Sequence, residues 1–187
     1  MRRSFLLGLA LASSLALAQA PARVRGVVES FDGRTLVVKD AGAILVGAKT
    51  EIVFAQPIKL ADIRPGDFLG VTSRKGPGGS LTAIEVRRFP KPLNPGHRPF
   101  DGGENQTMTN ATVGTVAQAA DGRVLSLDYE GGSQKILVPE SASISALVPG
   151  KPAQLVPGAR VNLTHDAAKT ALRIQVSPPR QRRFSLP

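Results

Sequence analysis

The chain has no cysteine and no tryptophan, and aromatic residues make up only 4% of its 187 residues. Without cysteine there can be no disulfide, thiolate metal site, iron–sulfur cluster or cysteine nucleophile. The scarcity of aromatic residues means that a hydrophobic core must be built from Val, Leu, Ile and Ala. A sustained helical period is also missing after residue 20, which argues against an α-helical fold.

Turn-forming residues are abundant instead, with 19 glycines and 15 prolines. Such a composition is typical of many short strands joined by turns rather than of long helices. The runs between the turns are rich in Val, Leu, Thr and Ser. The sequence therefore predicts an all-β fold.

The first residues have the pattern of a secretory signal peptide. Arg2 and Arg3 form a positive start, residues 5–17 are apolar, and small residues stand at Ala16 and Ala18. The apolar run is shorter than the roughly 18 to 20 residues of a spanning helix, so cleavage is expected rather than a permanent anchor. We predict that residues 1–18 are removed and that the protein is periplasmic or secreted. The general secretory route is favoured, although the two arginines also resemble a twin-arginine signal.

An internal repeat is visible along the chain. Residues 24–36 align without a gap on residues 113–125, and both segments contain Asp-Gly-Arg. Further matches follow in the same order: residues 44–46 with 136–138, residues 63–69 with 155–161, and residues 81–86 with 169–174. The repeat predicts an internal duplication, with one unit over residues 24–90 and a second over residues 111–178.

Both units carry the same turn signals. Asp-Gly at residues 32–33 and 121–122 separates strand-like runs, which is typical of a tight β-hairpin. Pro-Gly at residues 65–66 and 157–158 fits a type II turn. Five or six short strands in an open sheet would leave two bare edges, so each unit is predicted to close into a small barrel. The predicted fold is two tandem barrels of this kind, either OB-like or SH3-like.

Residues 91–110 lie between the units and contain too much proline and glycine for regular structure, so they are predicted to be a linker. The linker carries His97, Arg98, Phe100 and Asp101, side chains that a simple spacer does not need. Burial of a Phe ring is worth roughly 1.5 to 3 kcal/mol, so we expect Phe100 to dock against a barrel and act as a clasp. Residues 179–187 form a basic tail.

The paired units, the linker motif at residues 97–101 and the segment at residues 107–113 resemble a group of exported proteobacterial proteins with tandem small β-barrel domains. The resemblance covers nearly all of the chain after the leader. It implies a barrel fold and an envelope location, and it implies no activity. Members of that group have been labelled metal transporter permeases. This sequence does not support the label, because it contains no further run that could form a spanning helix.

The chain carries 24 basic and 14 acidic residues, a net charge of +10, of which +8 remains once Arg2 and Arg3 leave with the leader. Basic residues cluster at the end of the first unit and in the tail, at Arg87, Arg88, Lys91, Arg180, Arg182 and Arg183. Such clusters are typical of contact with an anionic partner. Nucleic acid is not the expected partner, because few aromatic residues are available for bases to stack on.

The favoured function is a non-catalytic module that binds an envelope protein or an anionic envelope surface. A metal-responsive binding protein is one alternative, because His97 lies near Asp101 and Glu104 in the chain. An unrecognised hydrolase is the other, although no Gly-x-Ser-x-Gly elbow, phosphate-binding loop or dinucleotide motif is present. No catalytic residue, metal ligand or cofactor is predicted.

Export predicts a mature chain that is shorter than the encoded one. Cleavage after Ala18 leaves Gln19 as the new N-terminus. The intact mass of protein recovered from the periplasm should therefore match a chain that starts at Gln19. A periplasmic chain that still carries Met1 would contradict the prediction.

Overall fold

The computed structural model describes residues 20–179, so the predicted leader and the tail residues Arg180, Arg182 and Arg183 lie outside the described residues. The described chain is all-β, as its composition predicts. Its strands are β1 (Ala22–Phe31), β2 (Thr35–Val38), β3 (Gly42–Leu45), β4 (Glu51–Pro57), β5 (Phe68–Lys75), β6 (Leu81–Phe89), β7 (Gly96–Pro99), β8 (Gln106–Ala119), β9 (Gly122–Tyr129), β10 (Gly132–Val138), β11 (Ser143–Pro149), β12 (Arg160–His165) and β13 (Ala171–Ser177). Single 3-10 turns lie at Leu60–Asp62, Pro77–Gly79 and Pro152–Gln154.

Five of the strands form a closed barrel. β8 pairs with β5 and β9, β9 pairs with β10, and β5 pairs with β6. A parallel bridge between Leu137 of β10 and Thr82 of β6 closes the ring. The interior is aliphatic, and Leu69, Leu125 and Ile136 are completely buried in it. The prediction of a small barrel with a core of Val, Leu, Ile and Ala is confirmed for this ring.

A second curved sheet contains β1, β2, β3, β12 and β13. β1 pairs with β2 and β12, β2 pairs with β3, and β12 pairs with β13. Leu45 at the end of β3 meets Thr170 just before β13 in a parallel bridge. Leu36, Leu163 and Ile174 lie in the aliphatic core of this sheet.

The barrel and the second sheet each combine strands from both predicted units. The barrel takes β5 and β6 from residues 24–90 and β8, β9 and β10 from residues 106–138. The second sheet takes β1, β2 and β3 from the first unit and β12 and β13 from the second. Two tandem barrels, one built from residues 24–90 and one from residues 111–178, are therefore not confirmed.

Each part of the fold contains strands from both units because β4 and β11 run between the two parts. They pair with each other in antiparallel register, with Ala55 opposite Leu147 at the centre. β4 also pairs in parallel with β13, and β11 pairs in parallel with β6. Each strand thus carries the chain from one part to the other, and the strands that follow it complete the opposite part.

The linker is shorter and more ordered than the sequence suggests. Residues 106–110 belong to β8, where they pair with β5. Inside the remaining linker, β7 pairs with β8 along four residues, from Gly96 opposite Asn110 to Pro99 opposite Thr107. Backbone pairing with a strand that is already in place therefore gives this segment a fixed position despite its glycine and proline content.

The turn chemistry explains why the strands end where they do. Asp32 Oδ1 accepts hydrogen bonds from the backbone N–H groups of Arg34 and Thr35 at 2.8 and 2.6 Å, and these bonds hold the pKa of its carboxyl below the usual range. Gly33 takes a φ of 98°, which a side chain would disfavour. The hairpin between β8 and β9 turns at Ala120 and Asp121, one residue earlier than its Asp-Gly pair predicts.

The hairpins of the two segments differ in length. Gly158 N donates to Val28 O at 2.9 Å and Gly66 N donates to Val113 O at 2.8 Å, and a register shift follows each valine. These contacts match Val28 with Val113, whereas the gapless sequence alignment matches Val24 with Val113. The β8–β9 hairpin is longer because Val116 pairs with Leu125, whereas Phe31 pairs with Leu36.

Exchange of strands predicts that neither half folds alone. Fragments of residues 20–95 and 96–179 each lack the partner strands that close their sheets, so each should fail to give a folded monomer. Mixing them should restore the β-sheet dichroism of the intact chain and give a complex of its size on gel filtration. A fragment that by itself is monomeric and unfolds cooperatively would show that tandem barrels are the better description.

Candidate functional site

A groove of about 890 Å³ lies between the barrel and the second sheet. Residues of β5, β6, β7 and β8 line one wall, and residues of β1, β12 and β13 line the other. Both walls are the outer faces of strands whose inner faces pack on the two cores. We call this feature the arginine groove.

Cross-strand register places the wall residues in rows, because alternate side chains of a strand point to the same face. On one wall, Met108 pairs with both Arg98 and Thr72. On the other wall, Asn162 pairs with both Arg25 and Gln175. Residues that are far apart in the chain thus become neighbours in the groove.

Five arginine side chains line the groove against two carboxylates. The arginines are Arg23, Arg25, Arg87, Arg98 and Arg160, and the carboxylates are Glu85 and Asp101. The lining therefore carries three more positive than negative charges. The surplus lies on the second-sheet wall, which contributes Arg23, Arg25 and Arg160 but no carboxylate, and it favours the entry of an anion.

Two of the arginines have a side-chain donor that makes no hydrogen bond. The Nε atoms of Arg87 and Arg160 are buried and have no hydrogen-bond partner in the structure. Arg87 also donates from Nη2 to Glu85 Oε1 at 2.9 Å, so this guanidinium is oriented while its Nε stays unused. A buried donor without a partner is costly, so both side chains are held in the groove wall at a cost in free energy.

Phe89 supplies an apolar surface in the groove. Its ring meets Phe68 edge-on, with the ring centroids 6.3 Å apart, and it packs against the buried cluster of Val53, Ala55 and Leu147. A Cβ on Gly70 would come within 2.5 Å of the Phe89 ring, so glycine at this position lets the ring lie across β5. Phe89 therefore connects the groove to the centre of the sheet.

Residues 96–101, which we call the strap, contact the opposite wall at one point. The Phe100 ring centroid lies 5.5 Å from Arg25 Cζ, and Asp101 Oδ1 lies 3.3 Å from Arg25 Nη2. Arg98 donates to the backbone oxygen of Asn94 at 3.2 Å instead. Phe100 is thus partly buried and meets Arg25 of the second sheet in a cation–π contact, which differs from the hydrophobic docking on a barrel that the sequence predicts.

His97 of the strap is held by β8. Its Nδ1 lies 2.8 Å from the hydroxyl oxygen of the buried Thr109. Partial burial of the ring and the positive charge of Lys75 lower the pKa of His97 below its ordinary value of 6.5. Within residues 20–179, no group of three or more His, Asp or Glu side chains is arranged to hold a metal ion. His97, Asp101 and Glu104 are therefore not brought together as the metal alternative requires.

The basic residues that cluster in the sequence at the end of the first unit lie in different environments in the structure. Arg87 lines the groove, whereas Arg88 points away and contacts Asp62 O at 3.1 Å and Asp67 Oδ2 at 3.7 Å. Lys91 is exposed and does not line the groove. Arg23, Arg25 and Arg160 also line the groove and are not predicted from the sequence, because no local cluster marks them. Their only signal is alternation with apolar residues along predicted strands.

Comparison of the chain with protein-family models, curated proteins and solved structures found no significant match. The description of the molecule therefore stands on its own geometry, an all-β barrel protein with an arginine-lined groove. Among residues 20–179, no helix is both long and apolar enough to cross a membrane.

The environment of His97 predicts its titration. Because the folded state holds the proton of His97 less tightly than the unfolded chain, protonation should destabilise the fold as the pH falls below 6.5. An NMR titration should place the midpoint of this imidazole below 6.5, and Lys75→Met should move it upward by removing the positive charge. A midpoint at or above 6.5 in the native protein would contradict the analysis.

Proposed function

We propose that the protein is an exported, non-catalytic binding module that holds an anionic partner in the arginine groove. The observation that carries the proposal is the convergence of five arginines from both walls, two of them with buried and unpartnered Nε atoms. Arginine suits this role because its planar guanidinium can bind carboxylate, sulfate or phosphate through two donors at once. The partner is an acidic protein or an anionic envelope surface.

The periplasmic or secreted location in this proposal rests on the leader pattern of residues 1–18. The resemblance to exported proteobacterial barrel proteins agrees with it. Both lines of support come from the sequence, and the mass measurement described above tests the cleavage of the leader directly.

We also propose that the two halves arose by duplication and that a pair of small barrels exchanged strands. Support comes from matching pairings on the two sides of the β4–β11 contact. Glu51 of β4 pairs with Arg173 of β13, and Ser143 of β11 pairs with Glu85 of β6 at the corresponding position. Such agreement in register is expected if both halves descend from one strand pattern.

The aromatic content of the groove favours an anionic partner other than nucleic acid. Phe89 and Phe100 are the aromatic residues that line it, and Phe100 is already in contact with Arg25. Single-strand binding proteins usually offer a series of rings on which successive bases stack. One available ring does not make such a series.

The environment of the histidines supports a non-catalytic role. His97 Nδ1 contacts the hydroxyl of Thr109, and His165 Nδ1 lies 2.7 Å from the backbone oxygen of Asp166. In the part of the chain that the structure describes, neither imidazole is hydrogen-bonded to a serine, as a serine hydrolase would require.

Paired substitutions test the groove. Arg87→Gln with Arg160→Gln should weaken binding to heparin, a soluble polyanion, by about tenfold or more, because each charge-assisted contact is worth roughly 1 kcal/mol or above. The matched control is Arg34→Gln with Arg64→Gln, which removes the same charge from exposed positions outside the groove and should cost less than about twofold.

The affinity of the native protein should also fall steeply as salt rises, since counterions compete for both partners. Equal losses in the two double variants would mean that net charge alone causes binding. Binding that does not respond to salt would contradict an electrostatic site altogether.

A further inference from the structure

We infer that the arginine groove takes an acidic polypeptide segment, and that Asp101 of the strap holds the place of one of its carboxylates on Arg25. The inference rests on the proposed function and names the partner class and the internal competitor of the same site. Three properties of the groove support it: the depth of the arginines, the polar side chains between them, and the contact that the strap already makes.

The depth of Arg87 and Arg160 favours an extended chain over a flat anionic surface as the principal partner. The side chain of Arg87 is only 24% exposed and that of its partner Glu85 only 25%. Arg160 is also half-buried, and the Nε atoms of both arginines are buried without a hydrogen-bond partner. A flat lipid surface can meet the exposed Arg23, Arg25 and Arg98, whereas an extended chain can also reach between the walls to the half-buried Arg87 and Arg160.

The polar side chains between the arginines suit a peptide. Asn162 and Gln175 face each other across β12 and β13, and both line the groove beside Arg25. An amide side chain offers a donor and an acceptor, which are the two groups that each peptide unit of an extended backbone presents. The arginines would then pair with the carboxylates of the same segment.

The contact between the strap and Arg25 shows that this guanidinium can pair with a carboxylate. Asp101 Oδ1 lies 3.3 Å from Arg25 Nη2, and the Phe100 ring lies against the same guanidinium. The pair is open to solvent, with side-chain exposures of 41% for Arg25 and 77% for Asp101. An exposed ion pair is weak and exchanges readily, so a carboxylate of the partner can replace that of Asp101.

Removal of the Asp101 charge tests the competition. Asp101→Asn should tighten binding of a poly-glutamate peptide by about two- to fivefold, the range that an exposed ion pair allows. Glu104→Gln is the matched control, because Glu104 is exposed, lies three residues further on and does not line the groove. This control should leave the affinity nearly unchanged, although it alters the net charge by the same amount.

A double variant tests whether the effect of Asp101→Asn depends on Arg25. In an Arg25→Ala background, Asp101→Asn should no longer tighten binding, because the group for which both carboxylates compete is gone. Melting temperatures of all variants establish that they are folded. Equal gains from Asp101→Asn and Glu104→Gln, or a gain that survives Arg25→Ala, would overturn the competition.

Three probes test the partner class in the native protein. Poly-glutamate should bind more tightly than polygalacturonate, an anionic polysaccharide, and more tightly than phosphatidylglycerol vesicles. Tighter binding of either rival would overturn the peptide assignment. If the Arg87 and Arg160 double variant still lowers binding of that rival, the groove itself stands and only the partner class is wrong.

Discussion

The antiparallel contact between β4 and β11 is the interaction on which the rest of the structure depends. Its central pair is Ala55 and Leu147, and with Val53 these residues form a small buried cluster of their own. Each of the two strands also has a parallel neighbour in the part of the fold that the chain has just left. Without this contact the barrel and the second sheet would share no continuous sheet, and the two walls of the groove would not face each other. Phe89 connects this cluster to the groove, because it packs on the cluster and lines the groove.

The barrel and the second sheet both combine strands from the two halves of the chain, so the fold depends on pairings between distant residues. β1 pairs with β12, although nearly the whole described chain separates them. Loop closure must be completed before such contacts stabilise anything, so folding of this kind is slow compared with that of a local barrel. A ligand that touches both walls binds only the assembled state and therefore stabilises it by mass action. Binding of such a ligand would therefore be coupled to folding.

Local features of the sequence predicted the strands, the turns and the aliphatic barrel core. Asp32, Gly33 and Gly66 act within a few residues, so their chemistry is readable without knowledge of the fold. Strand order is not readable in this way, because β5 carries the same alternating pattern whether it pairs with β1 or with β8. The groove depends on that order. Arg23, Arg25 and Arg160 could not be assigned to it from the sequence, whereas the neighbouring Arg87 and Arg88 were predicted to act together and point to opposite faces.

The contribution of a basic side chain to anion binding depends more on its position than on the number of charges around it. Arg88 and Lys91 lie in a strongly basic stretch, yet Arg88 is paired with Asp67 and Lys91 is surrounded by solvent, where salt screens it. Arg87 and Arg160 are half-buried, so an acceptor that pairs with their guanidinium groups would be bound more strongly than at the surface. Burial of their Nε atoms without a partner costs free energy. Pairing of the same guanidinium groups with an anionic segment would offset part of that cost.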